Sequence, residues 1–193
     1  MAKTGQNLHE FGQQLRNKDL WVFGYGSLMW NPGFVFQRAV QARLYGYHRD
    51  FAMWSVRHRG TVDRPGLVLT LCRGGTCVGK AFLVAAAQVA EAYAYLLDRE
   101  IGTYAYRPAL VSIWVEGAPV QALTFLPTPG APQFTPGLTM QVQAQAIARA
   151  TGGMGPNPEY LRKTIEEMER LKLPTHRFRA LENCVLALKG QNV

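Results

Sequence analysis

The segment Leu20-Trp21-Val22-Phe23-Gly24-Tyr25-Gly26-Ser27-Leu28-Met29-Trp30-Asn31-Pro32-Gly33 joins an apolar run, two spaced glycines and a turn signal. Leu20 to Phe23, stopped by Gly24, reads as a buried first strand, and Asn31-Pro32-Gly33 closes the segment as a turn. Gly24 and Gly26 after a strand invite a dinucleotide reading. The third glycine of G-x-G-x-x-G would fall at Met29, however, and a turn stands where the helix should begin, which excludes a Rossmann site. No Gly-Lys-Ser/Thr follows, and Ser27 lacks the G-x-S-x-G frame, so neither a phosphate loop nor a hydrolase elbow is present. Two readings stay open. In one, the glycines let a strand end in a tight turn packed under an aromatic. In the other, they expose consecutive backbone N–H groups that hold a carboxylate or an oxyanion, with the Tyr25 ring and the Ser27 hydroxyl nearby.

Working outward, strand-like segments recur at residues 39–47, 48–56, 66–71 and 77–84, punctuated by Arg59-Gly60 and Gly74-Gly75. Residues 86–100 change period: Val89, Ala92, Tyr93, Leu96 and Leu97 share a helical face, and Gly102 sits where a C-terminal stop belongs. Strands follow at 109–115 and 121–126, joined across Glu116-Gly117-Ala118. Residues 126–137 are too rich in proline and glycine to be regular and read as a surface loop. Helices are expected at 141–151 and 159–173, the second with Tyr160, Ile165, Met168 and Leu171 on a stripe. A last helix carries Phe178, Leu181, Val185 and Leu188 on one face. Residues 1–19 are polar, with Leu8, Phe11 and Leu15 at helical spacing, and form either a short docked helix or a frayed extension ahead of one domain spanning 20–193. Strands first, one interrupting helix and helices last make an α+β fold without the alternation of a doubly wound sheet.

The 193 residues are 48% apolar, 18% charged and 11% aromatic, which excludes disorder and collagen-like repeats. A net charge of +8 permits a negatively charged partner. Between Arg38 and Lys80 the basic side chains face only Asp50 and Asp63. They are scattered singly and form no basic run, which argues against nucleic acid and leaves a solvated face or a pocket for a small acid. Cys72, Cys77 and Cys184 form no C-x-x-C pair and no metal spacing with the four histidines, so they read as reduced thiols. No metal site is expected. With no apolar leader region and no span-length apolar stretch, a cytoplasmic protein that does not engage a membrane is expected.

Asp98-Arg99-Glu100 places acids at a helix C-terminus, against the macrodipole. One reading is a solvated turn screened by Arg99. The other sets Glu100 in a cleft that raises its pKa and suits it to proton transfer near neutrality, bordered by Tyr104 and Tyr106.

Taken together, the run from Val22 to Pro32 resembles the opening of the ChaC-like γ-glutamylcyclotransferases, which degrade glutathione. Further landmarks agree in order: Gly46-Tyr47-His48-Arg49, Arg59-Gly60, the run from Pro65 to Leu71, then Gly75, Gly79 and Ala81. Arg99-Glu100 with Tyr106 and Pro108 resembles the catalytic segment, and Gly155-x-Asn157-x-Glu159-Tyr160-Leu161 a late helix start. The resemblance covers roughly residues 20–190 and implies an α+β fold built on a small mixed β-barrel with flanking helices. It implies conversion of glutathione to 5-oxoproline and Cys-Gly with neither metal nor cofactor, by a cytoplasmic enzyme expected to be a monomer. Glu100 becomes the catalytic residue, and Tyr25, Gly26, Ser27 and Leu28 become the γ-glutamyl-binding segment. Tyr106 and Tyr160 match positions near the pocket. The substrate's α-amine attacks its own γ-carbonyl, with Glu100 acting first as base and then as acid, while loop N–H groups bind the α-carboxylate or the oxyanion. Arg57 and Arg59 are candidates for the glycyl carboxylate; the alternative is surface pairing with Asp50 or Asp63. Two other functions stay open: ring closure of other γ-glutamyl amino acids or amines, and a non-catalytic binding or regulatory module.

Overall fold

The computed structural model describes residues 2–101 and 105–190. The chain forms two compact units, one of Met1–Tyr47 with Gly75–Ala131 and one of His48–Gly74 with Pro132–Val193. Five strands, β1 (Leu20–Gly24), β2 (Arg38–Ser55), β3 (Gly66–Val84), β4 (Tyr106–Val115) and β5 (Ala118–Pro127), close a barrel in the order β1-β3-β2-β4-β5.

β1 pairs antiparallel with β3, from Leu20 opposite Val84 to Gly24 opposite Lys80, and parallel with β5 through Trp21–Ala122 and Val22–Leu123. Four of the five β1 residues are buried, so side chains on both faces of the strand are covered, which is why its sequence is apolar throughout. In the first unit, helices α1 (Ala2–Leu15) and α2 (Val89–Ile101) accompany the barrel. Val89, Ala92, Tyr93 and Leu96 of α2 join Leu20, Val22, Phe82, Val84, Leu123 and Phe125 in one core. Each fully buried side chain of this size contributes about 1.5–3 kcal/mol. Residues 2–15 form a docked helix: Leu15 is fully buried, and the Tyr93 hydroxyl donates to the Leu8 carbonyl at 3.0 Å. The β4–β5 turn has φ of 50° at Glu116 and 87° at Gly117, the two left-handed residues that a tight hairpin requires.

The second unit combines the remaining parts of β2 and β3 with α3 (Met140–Arg149), α4 (Asn157–Arg170) and α5 (His176–Gly190). Phe51 is fully buried and meets the Tyr160 and Phe178 rings edge-on. Beside it, the buried Asp50 carboxylate accepts from the Phe51 N–H, Gln143 Nε2 and Arg177 Nη2, at 2.8 to 3.0 Å. That network ties α3 and α5 to β2 and satisfies a charge that would be costly to bury alone.

Several expected boundaries move. The breaks anticipated at 47–48 and 72–76 are absent, and β2 and β3 run on as single long strands. Gly46, Gly74 and Gly75 have φ of 79°, 91° and 75°, so they turn the chain locally without ending the strand. Part of the expected loop 126–137 is also ordered by β2. The Trp54 N–H donates to the Gln133 carbonyl and the Thr135 N–H to the Ala52 carbonyl, both at 2.9 Å. A short hairpin, β6 (Thr151–Gly152) with β7 (Gly155–Pro156), replaces the expected end of the third helix. The anticipated stop at Gly102 lies outside the described residues, as does Tyr104.

Candidate active site

In the first unit β1 delivers the chain into a 3₁₀ turn at Ser27–Met29. The Met29 N–H bonds the Gly26 carbonyl at 2.9 Å, and the Asn31 N–H bonds the Ser27 carbonyl at 2.9 Å. The first N–H groups of a helical turn have no acceptor within it, so the chain at Gly26, Ser27 and Leu28 carries donors suited to an anion. Gly24 is required where it stands, because a Cβ there would lie 2.9 Å from that of Leu28. From β3, Lys80 Nζ donates to the Met29 carbonyl at 2.7 Å and secures the far end of the turn.

The side chains of the loop are largely committed. Tyr25 is buried, and its hydroxyl donates to the Phe125 carbonyl on β5 at 2.8 Å. Leu28 belongs to the core. Ser27 Oγ accepts from Arg99 Nη2 at 2.8 Å, which leaves its own proton to donate.

Glu100 stands near the end of α2, its side chain 19% exposed. Burial raises its pKa above the ordinary value of 4.5, and the charge of Arg99 opposes the rise. A carboxylate moved toward neutrality in this way is suited to taking and returning a proton. Arg99 Nε lies 3.3 Å from Glu100 Oε1. The same guanidinium donates to the Asn31 carbonyl at 2.7 Å and to the Tyr95 hydroxyl at 3.1 Å. One cation therefore touches the candidate acid, the glycine-rich loop and the turn that closes it.

In the sequence Arg99 shows no role beyond screening charge. Its adjacency to Glu100 was the signal available, but its loop partners lie 67 to 72 positions away.

Tyr106 opens β4 opposite Pro127, is half-buried and packs against the same core as Leu28 and Leu96. Tyr160 lies in the second unit, where its hydroxyl accepts from the Leu69 N–H at 3.4 Å and Arg59 stacks 5.6 Å from its ring centre. Arg59 pairs with neither acid suggested from sequence. It is buried, donates to the Pro156 carbonyl at 3.2 Å and faces Glu159 at 3.7 Å, whose carboxyl is held below its ordinary range chiefly by Lys163. Asp50 is engaged by Arg177 instead, and Arg57 is exposed.

The family model described as "ChaC-like protein" matches residues 20–188. The glutathione-specific gamma-glutamylcyclotransferase of Escherichia coli strain K12 is 33% identical over 174 residues, covering 90% of this chain and 75% of that protein. The glutathione-specific gamma-glutamylcyclotransferase 1 of Danio rerio is 37% identical over 154 residues, covering 77% and 79%. Among solved structures, a yeast gamma-glutamyl cyclotransferase specific to glutathione superposes with a TM-score of 0.81 at 22% identity, covering 89% of this chain and 97% of that one. That last likeness concerns the fold.

Proposed function

Because this chain belongs to the ChaC-like protein family, we propose that it is a glutathione-specific γ-glutamylcyclotransferase, releasing 5-oxoproline and Cys-Gly. One arrangement supports the reading most. A largely buried carboxylate of raised pKa, Glu100, is linked through Arg99 to Ser27, on a turn whose leading N–H groups suit an anion.

The substrate brings its own nucleophile. Its α-amine and γ-carbonyl are joined by a short chain, so closure to a five-membered ring needs a bent conformer more than a reactive side chain. Ionised Glu100 takes a proton from the α-ammonium. The freed amine nitrogen attacks the γ-carbon, forming the ring C–N bond and placing negative charge on the carbonyl oxygen. As that oxygen's electrons return, the bond from the γ-carbon to the cysteinyl nitrogen breaks, and protonated Glu100 gives its proton to the departing nitrogen. The regenerated carboxylate passes the surplus proton of the ring nitrogen to the same amine, leaving a neutral lactam and an ammonium. N–H groups at Gly26, Ser27 and Leu28 serve the substrate's anionic oxygens, either the α-carboxylate or the developing oxyanion. Tyr25 contributes main chain and ring, because its hydroxyl is bonded to Phe125. Tyr106 and Tyr160 are proposed to border the substrate, as the resemblance implies, and Arg57, which is exposed, stays a candidate for the glycyl carboxylate. The reaction is assigned to the cytoplasm and to a monomer.

Purified protein is incubated with glutathione and with γ-glutamyl-alanine side by side, and 5-oxoproline is measured. Release from glutathione far above that from γ-glutamyl-alanine is expected. Comparable release from both favours the broader γ-glutamyl substrate class, and binding of glutathione without release favours a non-catalytic module.

A further inference from the structure

We propose that Arg99 is a positioning residue that locks the segment from Ser27 to Pro32 onto α2 and so fixes the distance between the loop's amide donors and the Glu100 carboxylate. The proposal rests on the reading of Glu100 and the glycine-rich loop given above.

Arg99 is 15% exposed at its side chain, and its bonds to Ser27 and Pro32 are partly withdrawn from water. Nη1 reaches the Asn31 carbonyl at 2.7 Å and the Pro32 carbonyl at 3.4 Å, while Nη2 reaches Ser27 Oγ at 2.8 Å. Two nitrogens of one planar fork thus hold both ends of the segment from Ser27 to Pro32, which a point charge such as lysine cannot do. Tyr95, one helical turn earlier, reinforces the grip. Its hydroxyl accepts from Arg99 Nη1 at 3.1 Å, and it packs so closely on Gly33 that a Cβ there would collide with it. Gly33 has φ 74°, so the turn after the loop is shaped to admit that ring.

The remaining contact, Nε to Glu100 Oε1, orients the acid. With Oε1 facing the guanidinium, Oε2 is the oxygen left to exchange protons with substrate. Arg99 does no proton transfer itself. It sets where the donors and the acid stand relative to each other, and errors of about 1 Å in such spacing cost roughly a hundred-fold in rate.

The test compares wild type with Arg99→Met, Arg99→Lys and Glu100→Gln, reading KM and kcat on glutathione and amide exchange at residues 29–31. Arg99→Met loses several charge-assisted bonds and is expected to raise KM by about ten- to a hundred-fold, with a fall in kcat as well. Arg99→Lys restores a charge beside Glu100 but not the fork, so kcat recovers more than KM. In both, the amides of Met29, Trp30 and Asn31 exchange at least about ten-fold faster, while those of Val22 and Phe23 keep their protection. Glu100→Gln abolishes turnover and leaves loop exchange unchanged. An Arg99→Met protein with wild-type KM and unchanged loop exchange overturns the proposal, whatever its melting temperature. Should wild type fail to turn over glutathione, the functional reading falls, and loop exchange alone still decides whether Arg99 holds the loop.

Discussion

Replacing Asn157 with alanine tests how the second unit is held together. Asn157 is fully buried at the start of α4 and acts as a strand's worth of hydrogen bonding for one residue of β3. Its Oδ1 accepts from the Leu67 N–H at 2.7 Å, and its Nδ2 donates to the Leu67 carbonyl at 2.8 Å. Alanine removes both partners and leaves two buried backbone groups unsatisfied, each costing about 1–3 kcal/mol, hence about 2–6 kcal/mol together. That is a large part of the roughly 5–15 kcal/mol that holds a domain folded. Little relief is available by movement, because a Cβ on neighbouring Gly66 would already lie 2.6 Å from Asn157 Oδ1, so the strand is packed tightly there. Asn157→Asp separates the two bonds. Its carboxylate still accepts from the Leu67 N–H but repels the Leu67 carbonyl, whereas the protonated acid can donate to it, so this variant gains stability relative to wild type as pH falls. Urea unfolding followed by circular dichroism measures the loss, and amide exchange at Leu67 locates it. A loss below about 1 kcal/mol, or unchanged Leu67 exchange, refutes the reasoning.

Glu100→Gln has a stability signature of its own. The folded-state pKa of Glu100 lies above 4.5 because burial disfavours the charge. Below that ordinary value the group is protonated in both folded and unfolded states and exerts no penalty. As pH rises through the folded pKa, the ionised carboxylate weakens the fold. The neutral variant is therefore expected to match wild type in acid and to exceed it in thermal stability at pH 8; equal melting temperatures at pH 8 contradict this. Tyr25→Phe leaves the Phe125 carbonyl without its buried donor, at a cost of about 1–3 kcal/mol in urea unfolding; a neutral change means that the bond contributes nothing. Cys72 is buried, with its thiol pushed up to about 11 by burial and by Asp50, whereas Cys184 is exposed. A disulfide reagent at pH 8 is expected to label Cys184 rapidly and Cys72 only on unfolding, which peptide mapping checks.

Features carried by short stretches of chain were legible in the sequence. The apolar run at Leu20 to Phe23 is a central strand, Val89 to Leu96 is a helix facing the core, and Glu116-Gly117 turns a hairpin. Glycine misled where it bends a strand without ending it, as at Gly46 and Gly74-Gly75, because composition does not tell a positive φ within a ladder from a loop. At the site, the place of Glu100 at the end of α2 and the turn after β1 follow from local pattern. The roles of individual side chains do not. The Tyr25 hydroxyl bonds a carbonyl 100 residues away, which its place in the loop does not announce. Arg59 found Glu159 rather than the acids near it in sequence. Arg99 acts on main-chain carbonyls, which no residue type announces. Each of these depends on contacts made only after the strands are assembled.

Ring closure as proposed depends on the Glu100 carboxylate to move the proton. The most direct test is 5-oxoproline release from glutathione by Glu100→Gln, with folding checked by circular dichroism. An amide of the same shape cannot accept the α-ammonium proton, so a folded variant with release reduced by at least about a hundred-fold is predicted. A folded Glu100→Gln protein that keeps most of the wild-type rate would mean that another group moves the proton.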